Sequence, residues 1–326
     1  MKIRDWLRVF RAQTASASFI LALVPYLLGG GEFLSWHSLF IFTFAILTHW
    51  FSFGHNSYID TAMGYDVKDK HKSHHPLVNG SISMKSASNV INSGMFVLAL
   101  ILSLYIYLYA VNKTLAFLFF VLYIVSGHWY NDGFSKTSIF AFIPISLCFT
   151  SFGLTFYFIS ASEFNQFIII YSIFIFLTIW YEISVEGDLK DLEVPQDLMM
   201  RRLGCKVHDG KLIRTKKAIL YASFVKFTSI GLIIWLELNH LLVLILSIPF
   251  FILMIYFHIS LFKTEYHRNN VLRYCALEEI SSIYLGVLAS SIYLGFIIPF
   301  IIMIIGILYF VMMNKINWGT IIRPQV

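Results

Sequence analysis

An apolar run from Leu39 to Phe53 leads into the polar stretch Asn56-Ser-Tyr-Ile-Asp60-Thr-Ala-Met-Gly64-Tyr-Asp66-Val-Lys-Asp69-Lys-His-Lys72-Ser-His-His75-Pro76-Leu77-Val-Asn-Gly80. With its flanks, the apolar run is long enough for a membrane helix, so the acidic residues emerge where a bilayer meets water. Asn56 and Asp60 lie four residues apart and share one helix face. A helix that ends near Gly64 and turns back would bring Asp60, Asp66 and Asp69 around one point, and such carboxylates need a cation between them.

The composition of the whole chain indicates an integral membrane protein. Of its 326 residues, 58% are hydrophobic and 13% are charged, and the mean hydropathy is +0.74. These values exclude an ordinary soluble domain. Apolar runs that suit membrane spans recur along the chain: Thr14–Leu28, Leu39–Ile59, Val90–Val111, Leu115–Tyr130, Ile139–Ile159, Phe167–Trp180, Ala218–Leu236, Leu241–Leu261 and Ile280–Met313.

The last apolar run determines the predicted number of spans. Its length suits a short helix followed by a full one, with Gly295 and Pro299 as the expected joint. Nine spans is therefore our preferred count, and ten is the alternative. We expect an all-α, polytopic membrane protein of about nine transmembrane helices that forms a single domain over residues 1–326.

The positions of the cations predict the orientation in the bilayer. Most of the 24 Lys and Arg residues lie before the first span or in alternate loops, and cations in short loops stay on the cytoplasmic side. The N-terminus and the acidic loops are therefore expected to face the cytoplasm, in the cytoplasmic (inner) membrane. The net charge of +6 is explained by this asymmetry and by attraction to anionic membrane lipid, so it requires no nucleic-acid partner.

A second acidic cluster follows the apolar run that ends at Trp180. Asp188 and Asp191 are three residues apart and lie on one helix face, and Pro195 stops the helix soon after them. Both clusters follow the cytoplasmic end of an even-numbered span and both contain a helix breaker. The acidic residues of the second cluster are Glu182, Glu186, Asp188, Asp191, Glu193 and Asp197.

Both clusters resemble the acidic motifs of the UbiA superfamily of intramembrane prenyltransferases. The step of six residues from Asp60 to Asp66 is similar to that of the naphthoate-prenylating and menaquinone-forming branch, and His75 stands where many members have Arg. The second motif usually reads Asp-x-x-Asp-x-Glu-Gly-Asp, and Asp188-Leu-Lys-Asp191-Leu-Glu193 matches its first six positions. Val194-Pro195-Gln196 departs from the motif before Asp197. The residues that match the first motif in order are Asn56, Asp60, Asp66, Pro76, Leu77 and Gly80.

This resemblance implies both a fold and a reaction. The fold is a ring of nine helices in two pseudo-repeated halves, about residues 1–135 and 136–326, around a central cavity that is capped on the cytoplasmic side and opens laterally for a lipid tail. The reaction is transfer of a polyprenyl group, an alkyl group larger than methyl, from an isoprenyl diphosphate to a small lipophilic or aromatic acceptor inside the membrane. The motif spacing favours an aromatic acceptor of quinone biosynthesis.

The same reaction predicts roles for individual residues. An isoprenyl diphosphate carries about three negative charges, so carboxylates bind it only through bridging Mg²⁺ ions. Two clusters suit two Mg²⁺ ions, and Mn²⁺ is expected to substitute for them. The predicted metal ligands are Asp60, Asp66, Asp69, Asp188, Asp191 and Asp197; the predicted catalytic residues are Asn56, Asp60, Asp191 and Lys136; and the residues predicted to bind the diphosphate or substrate are Arg11, Lys72, Tyr130, Lys136 and Arg201.

The sequence is compatible with two other functions. One keeps the fold but changes the product: an intramembrane terpene cyclase, in which the carbocation is quenched without an acceptor. The other is an ion-coupled transporter with intramembrane acids as ion ligands. A transporter predicts acids and unwound helices near the middle of the bilayer, whereas the clustered acids here lie at span ends. Glu278 and Glu279 open the last hydrophobic tract. Of two positions, facing the cavity or marking the membrane interface, we favour the interface.

Overall fold

The computed structural model describes residues 3–134, 137–194, 197–263 and 265–321 of the chain. Within these ranges the backbone is mainly helical. Short 3₁₀ turns lie at Ala12–Thr14 and Lys70–Lys72, and π-helical turns lie at Tyr130–Phe134 and Glu182–Gly187. The other elements are α1 (Ile3–Val9), α2 (Ala15–Leu28), α3 (Trp36–Ala62), α4 (Tyr65–Lys68), α5 (Met84–Tyr109), α6 (Lys113–Trp129), α7 (Phe142–Ser160), α8 (Gln166–Tyr181), α9 (Asp188–Lys190), α10 (Met199–Arg202), β1 (Lys206–His208), β2 (Lys211–Ile213), α11 (Lys216–Glu237), α12 (Leu241–Leu261), α13 (Arg268–Ala289), α14 (Ser291–Leu294) and α15 (Ile297–Trp318).

Nine helices in the described ranges are long and apolar enough to cross a membrane, which confirms the predicted count. Their distribution differs from the prediction. The last apolar tract is divided at Gly295, where φ is 68°, into two spans, and Pro299 lies in the first turn of α15 instead of at the joint. The 14-residue helix α2 qualifies as a tenth span only together with α1, from which it is bent by 59°.

Polar side chains fix the starts of five membrane helices. Ser35, Ser83, Asn112, Asn165 and Thr215 each accept a hydrogen bond from the backbone N–H three residues further along. Each bond satisfies one of the N–H groups that the first turn of a helix leaves without an intrahelical acceptor. These caps place polar residues at the ends of α3, α5, α6, α8 and α11.

The helices form a closed ring. Contacts run from α2 through α3, α5, α6, α7, α8, α11, α12 and α13 to α15, which packs against α2 again. Helix α2 also packs against α7, and a Cβ atom on Gly153 of α7 would lie 3.0 Å from the Leu21 carbonyl oxygen of α2. Because that separation is below ordinary van der Waals contact, a larger residue at this position would push the two helices apart by a few tenths of an ångström.

The all-α fold class is confirmed, and one short hairpin accompanies the helices, in which β1 and β2 pair antiparallel with Lys206 opposite Ile213. Asp209 and Gly210 form the turn with φ values of 49° and 68°, the left-handed backbone that Asp-Gly favours in a two-residue hairpin turn. The Tyr266 N–H donates to the Gly210 carbonyl oxygen at 2.9 Å. The Tyr266 hydroxyl contacts the Leu189 carbonyl oxygen at 3.0 Å. The hairpin is thereby attached to the short helix α9.

Candidate functional site

A cavity of about 380 Å³ lies inside the ring. Its walls come from α2, α3, α6, α7, α8 and α13. The start of α13 and the segments that follow α3, α6 and α8 meet at one end of it, which we call the acidic end. Aromatic side chains line the cavity further along the same helices, and they include Tyr123, Phe149, Phe152, Tyr171 and Phe174.

The first acidic cluster lies where α3 ends and the chain reverses. Asn56 and Asp60 occupy the last two turns of α3 and line the cavity, and Asn56 Nδ2 donates to Asp60 Oδ2 at 3.4 Å. The reversal occurs at Gly64, as its position predicted, with φ at 78°. Beyond it, the buried carboxylate of Asp66 pairs with Lys72, whose Nζ lies 2.6 Å from Asp66 Oδ1.

The second acidic cluster begins where α8 passes into the π-helical turn Glu182–Gly187. Asp188 and Asp191 follow this turn and line the cavity. Asp188 is buried, and its Oδ2 accepts the Met200 N–H at 3.1 Å. A π-helical turn adds a residue to the helical repeat and is frequent at functional sites. Here the π-helical turn directly precedes Asp188 and therefore sets the orientation of the Asp188 side chain relative to α8.

Arg268 joins the two clusters. Its Nη2 lies 3.4 Å from Asp69 Oδ2 and 3.1 Å from Asp191 Oδ1, and its Nε donates to the Lys190 carbonyl oxygen at 3.3 Å. Because Asp69 Oδ2 and Asp191 Oδ1 contact the same nitrogen atom, these two oxygens lie no farther apart than the sum of the two distances. Residues from distant parts of the sequence therefore meet at the acidic end. Asp60 lines the same cavity.

The cations and the tyrosine that were predicted to bind the diphosphate do not all line the cavity. Arg11, Lys72 and Tyr130 line the cavity. Arg11 stands at the bend between α1 and α2 with φ at 46°, a left-handed conformation that is uncommon for a side chain of this size. Arg201 donates instead to the carbonyl oxygens of Leu192 and Val194, at 2.6 and 2.7 Å, and is not among the residues that line the cavity. Lys136 lies outside the described residues.

Three predicted metal ligands, Asp66, Asp69 and Asp197, are not among the cavity-lining residues. Asp66 and Asp69 contact Lys72 and Arg268, which do line the cavity. The third is Asp197. It is exposed, and its two carboxylate oxygens accept hydrogen bonds from Arg202 at 2.7 and 2.8 Å. These bonds lower the pKa of Asp197. Asp188 and Asp191 line the cavity, whereas Asp197 is not among the cavity-lining residues.

His75, in the loop after the first cluster, contributes no positive charge near neutral pH. Burial lowers the pKa of its imidazole to about 4, although nearby Asp66 favours the protonated form. Its Nδ1 is buried and has no hydrogen-bond partner among the described residues. The position that carries Arg in many resembling sequences is therefore filled here by a neutral ring.

Several cavity residues escaped the sequence analysis. Arg268 is one, because a single cation at a helix start looks like any topology residue. Glu279 also lines the cavity, the alternative that we did not favour, and Glu278 is fully buried against Lys226. The expectation that Glu278 and Glu279 mark the membrane interface is therefore wrong. The sequence around Glu278 and Glu279 does not show which face of α13 points into the ring, so their positions could be recognised only in the three-dimensional structure.

The donor set at the acidic end suits a hard divalent cation. Asp60, Asp188 and Asp191 line one cavity and offer oxygen atoms, the ligands that Mg²⁺ prefers. Within the described parts of the chain, no three acidic, histidine or cysteine residues form a group that could hold a metal ion by themselves. Such a site fits Mg²⁺ bound jointly by protein carboxylates and substrate phosphate.

Comparison with known proteins identifies the family and the fold. The sequence pattern of the UbiA prenyltransferase family matches residues 17–278, whereas curated protein sequences give no significant match. An apo UbiA homologue from Aeropyrum pernix K1 has a TM-score of 0.61 at 14% sequence identity and covers 84% of this chain and 96% of that chain. The structure of a digeranylgeranylglyceryl phosphate synthase has a TM-score of 0.57 at 18% identity, covering 87% and 98%. A UbiA homologue from Archaeoglobus fulgidus bound to DMAPP and Mg²⁺ has a TM-score of 0.49 at 16% identity, covering 96% and 99%.

The first two structures share the fold of this chain over most of their length. The family pattern extends from α2 into α13 and includes both acidic clusters. The chain therefore belongs to the UbiA prenyltransferase family.

Proposed function

We propose that this protein transfers a polyprenyl group from an isoprenyl diphosphate to an aromatic acceptor of quinone biosynthesis inside the membrane. The main support is the meeting of the two acidic clusters, since Arg268 contacts Asp69 and Asp191 at once. A diphosphate bound through divalent cations needs carboxylates from more than one direction. The aromatic acceptor is the part of the proposal that rests on the motif spacing alone.

The proposed metal ligands are the aspartates of the acidic end, with two Mg²⁺ ions that Mn²⁺ is able to replace. When bound, the metal supplies positive charge that stabilises the leaving diphosphate. Lys72 and Arg268 balance the charge of Asp66, Asp69 and Asp191 in this structure. The same two cations are positioned to turn toward phosphate oxygens. The ligands are Asp60, Asp66, Asp69, Asp188 and Asp191.

The chain's own residues bind and orient the two substrates. Arg11, at the bend between α1 and α2, and Tyr130, at the start of the π-helical turn after α6, line the cavity, and we expect them to contact the diphosphate. Asn56 donates to Asp60 and holds its carboxylate toward the cavity. The predicted catalytic role of Lys136 stays a prediction.

The reaction breaks the donor C1–O bond, and the electron pair leaves with the diphosphate. The allylic carbon then bonds to a carbon of the acceptor, which loses a proton. Aromatic faces such as those of Phe152 and Phe174 stabilise the positive charge on the allyl group. Enclosure by the helical ring keeps water from intercepting it.

The protein is an integral membrane protein by the nine long apolar helices of its described ranges. We infer that the acidic end lies at the cytoplasmic face of the inner membrane, because the cation-rich loops are at that end. Arg4 and Arg8 at the N-terminus donate to the Asn317 carbonyl oxygen near the end of α15. Both ends of the described chain are thereby held on one face, where anionic lipid is the expected surrounding partner.

The test is product analysis with purified protein. Allylic diphosphates of several lengths, Mg²⁺ and a panel of aromatic acceptors are incubated with the protein, and the products are identified by mass. We expect a prenylated aromatic product, with Asp191→Asn as the inactive control. A cyclic hydrocarbon formed without acceptor would favour a terpene cyclase. Gradient-driven uptake with intact diphosphate would favour a transporter.

A further inference from the structure

Arg11 has a strained backbone at the edge of the cavity. It lies at the bend between α1 and α2 with φ at 46° and ψ at 45°, and it lines the cavity. Among the non-glycine residues that the structure describes, only Arg11 and Asp209 have a positive φ, and Asp209 lies in a hairpin turn that favours it. A left-handed backbone in a bulky residue persists only where the surrounding structure enforces it, and such residues cluster at ligand-binding sites.

Thr14 and His49 hold the carbonyl group of Arg11 from one side. The Arg11 carbonyl oxygen accepts the Thr14 N–H at 3.0 Å and Thr14 Oγ1–H at 2.9 Å. Because the hydroxyl hydrogen of Thr14 is used on this carbonyl group, Thr14 Oγ1 accepts the hydrogen bond from His49 Nε2, 2.9 Å away. The other ring nitrogen of His49 lies 2.7 Å from Ser18 Oγ. The Arg11 carbonyl group is thereby anchored to α3.

The same helix supports the guanidinium of Arg11. Its central carbon lies 5.6 Å from the centroid of the Phe53 ring, within the range of a cation–π contact. Phe53 in turn stacks on the His49 ring, with 4.1 Å between the two centroids. His49 and Phe53 are four residues apart on α3 and both line the cavity. One face of α3 therefore contacts the guanidinium of Arg11 and, through Thr14, its carbonyl group.

The end of α15 holds the other side of the bend. The Arg11 N–H donates to the Arg8 carbonyl oxygen at 3.1 Å. The Arg8 guanidinium donates to the Asn317 carbonyl oxygen at 2.9 Å, and its central carbon lies 4.5 Å from the Trp318 ring centroid. Asn317 Nδ2 donates to Gln13 Oε1 at 3.2 Å, and both of these side chains are buried. The chain is thus fixed to α15 both before and after Arg11.

We propose that Thr14 and Asn317 are positioning residues that hold Arg11 in its left-handed conformation and so direct its guanidinium at the diphosphate. This inference rests on the proposed contact between Arg11 and the diphosphate. A right-handed backbone would rotate the Cα–Cβ bond of Arg11, and the guanidinium would leave the Phe53 ring. Fixing the side chain before the ligand arrives lowers the ordering cost of binding.

The family pattern does not describe this arrangement. It covers residues 17–278, whereas Arg11, Gln13 and Thr14 precede that range and Asn317 follows it. The last membrane helix, which contributes no residue to the cavity wall within its described range, thereby acquires a role at the site. It supports a cavity-lining cation from outside the cavity.

A double-mutant cycle on ligand binding tests this role. The ligand is a non-hydrolysable allylic diphosphate analogue with Mg²⁺, and its dissociation constant is measured with the full-length protein in detergent. Thr14→Val removes the hydroxyl group but keeps the shape of the side chain, so it should weaken binding about fivefold or more, the effect of one hydrogen bond. With Arg11→Ala already present, the same change should cost less than about twofold, because no guanidinium remains to be positioned. Asn317→Leu should behave in the same way.

Thr155→Val is the matched control for Thr14→Val. Thr155 is also a buried threonine whose Oγ1 donates to a backbone carbonyl oxygen, that of Ser151 at 2.8 Å. It lies on α7 and is not among the cavity-lining residues, so the affinity for the analogue should equal that of the wild type. Thr14→Ser keeps the hydroxyl group and should restore the affinity that Thr14→Val loses.

Thermal unfolding in detergent measures the strain without a ligand. Arg11→Gly should unfold at a higher temperature than Arg11→Ala, because glycine adopts a positive φ without the steric penalty that alanine retains. Arg273, an exposed residue within α13, provides the control. There the order should be reversed, because glycine is less favourable than alanine inside a helix.

The inference is overturned if Thr14→Val or Asn317→Leu weakens analogue binding equally with and without the Arg11 side chain, if either change has no effect, or if Arg11→Gly is no more stable than Arg11→Ala. A wild-type protein that binds no analogue in the presence of Mg²⁺ would refute the proposed function as well. A protein that binds the analogue but shows no coupling of Thr14 and Asn317 to Arg11 retains the proposed function and loses only this inference.

Discussion

Arg268 Nη2 lies 3.1 Å from Asp191 Oδ1, although the two residues are 77 positions apart in the sequence. The same nitrogen contacts Asp69 of the first acidic cluster. Both partners of this contact are largely buried, with side-chain exposures of 8% for Arg268 and 18% for Asp191. A guanidinium between two carboxylates neutralises part of their mutual repulsion. Arg268 therefore links the two acidic clusters directly.

Replacing Arg268 by Ala should lower kcat/KM for the allylic diphosphate by about 30-fold or more, because removing one partner of a buried, hydrogen-bonded charge pair costs about 2–5 kcal/mol. Arg268→Lys should retain part of the rate, since it keeps the charge but loses the planar fork. Arg273→Ala, an exposed position on the same helix, is the control. Equal rates for the wild type and Arg268→Ala would contradict the role assigned to this contact.

Removal of divalent metal should abolish prenyl transfer. The carboxylates at the acidic end are hard oxygen ligands, and a diphosphate approaches them only with cations in between. We expect a loss of about 100-fold or more in excess chelator, with recovery on adding Mg²⁺ or Mn²⁺. The measurement is product formation before and after metal is restored. Undiminished activity in chelator would exclude the proposed metal-bound diphosphate.

The second cluster provides a matched pair of aspartates. Asp191→Asn should reduce the transfer rate by about 100-fold or more, because Asp191 lines the cavity and contacts Arg268. Asp197→Asn should stay within about twofold, since Asp197 is exposed and its ion pair with Arg202 is a surface contact of small energetic value. Equal losses in the two variants would show that the loop folds Asp197 into the site when substrate binds.

Much of the fold could be predicted from the sequence because membrane helices are local features. The apolar runs gave the number of spans, and Gly64 and Gly295 marked real breaks because a positive φ suits glycine. The hairpin was missed although Asp209-Gly210 is a recognised turn signal. Its strands are three residues each, too short for a clear alternating pattern. The division into two pseudo-repeated halves stays a prediction.

The candidate site was predictable only where its residues share a local motif. Asp60, Asp188 and Asp191 came from spacing along the chain, and they do line the cavity. Arg268 and Glu186 acquire their positions from helices that meet only in three dimensions. Neither residue type nor spacing distinguishes Arg268 from other cations beside a span, so its contact with both clusters required the tertiary structure.

Cysteine labelling tests the orientation of the acidic end. All three native cysteines are buried, so the background reaction with a membrane-impermeant maleimide should be low. A cysteine introduced at Lys211, on the exposed hairpin, should react only after the membrane is permeabilised. A cysteine introduced at Asn112, which contacts the Phe158 carbonyl oxygen at the opposite end of the ring, should react in intact cells. The reverse pattern would place the acidic end outside.

Loss of either member of the buried ion pair Lys226–Glu278 should lower the stability of the folded protein. Both side chains are completely buried, so removing one leaves an uncompensated charge in an apolar interior, at a cost of about 3–5 kcal/mol. Lys226→Met alone and Glu278→Gln alone should therefore each lower the thermal unfolding temperature in detergent. The double variant should recover most of the loss, because replacing both members of a buried ion pair is often neutral. Additive losses in the double variant would mean that Lys226 acts mainly through another contact, such as the face of Tyr181.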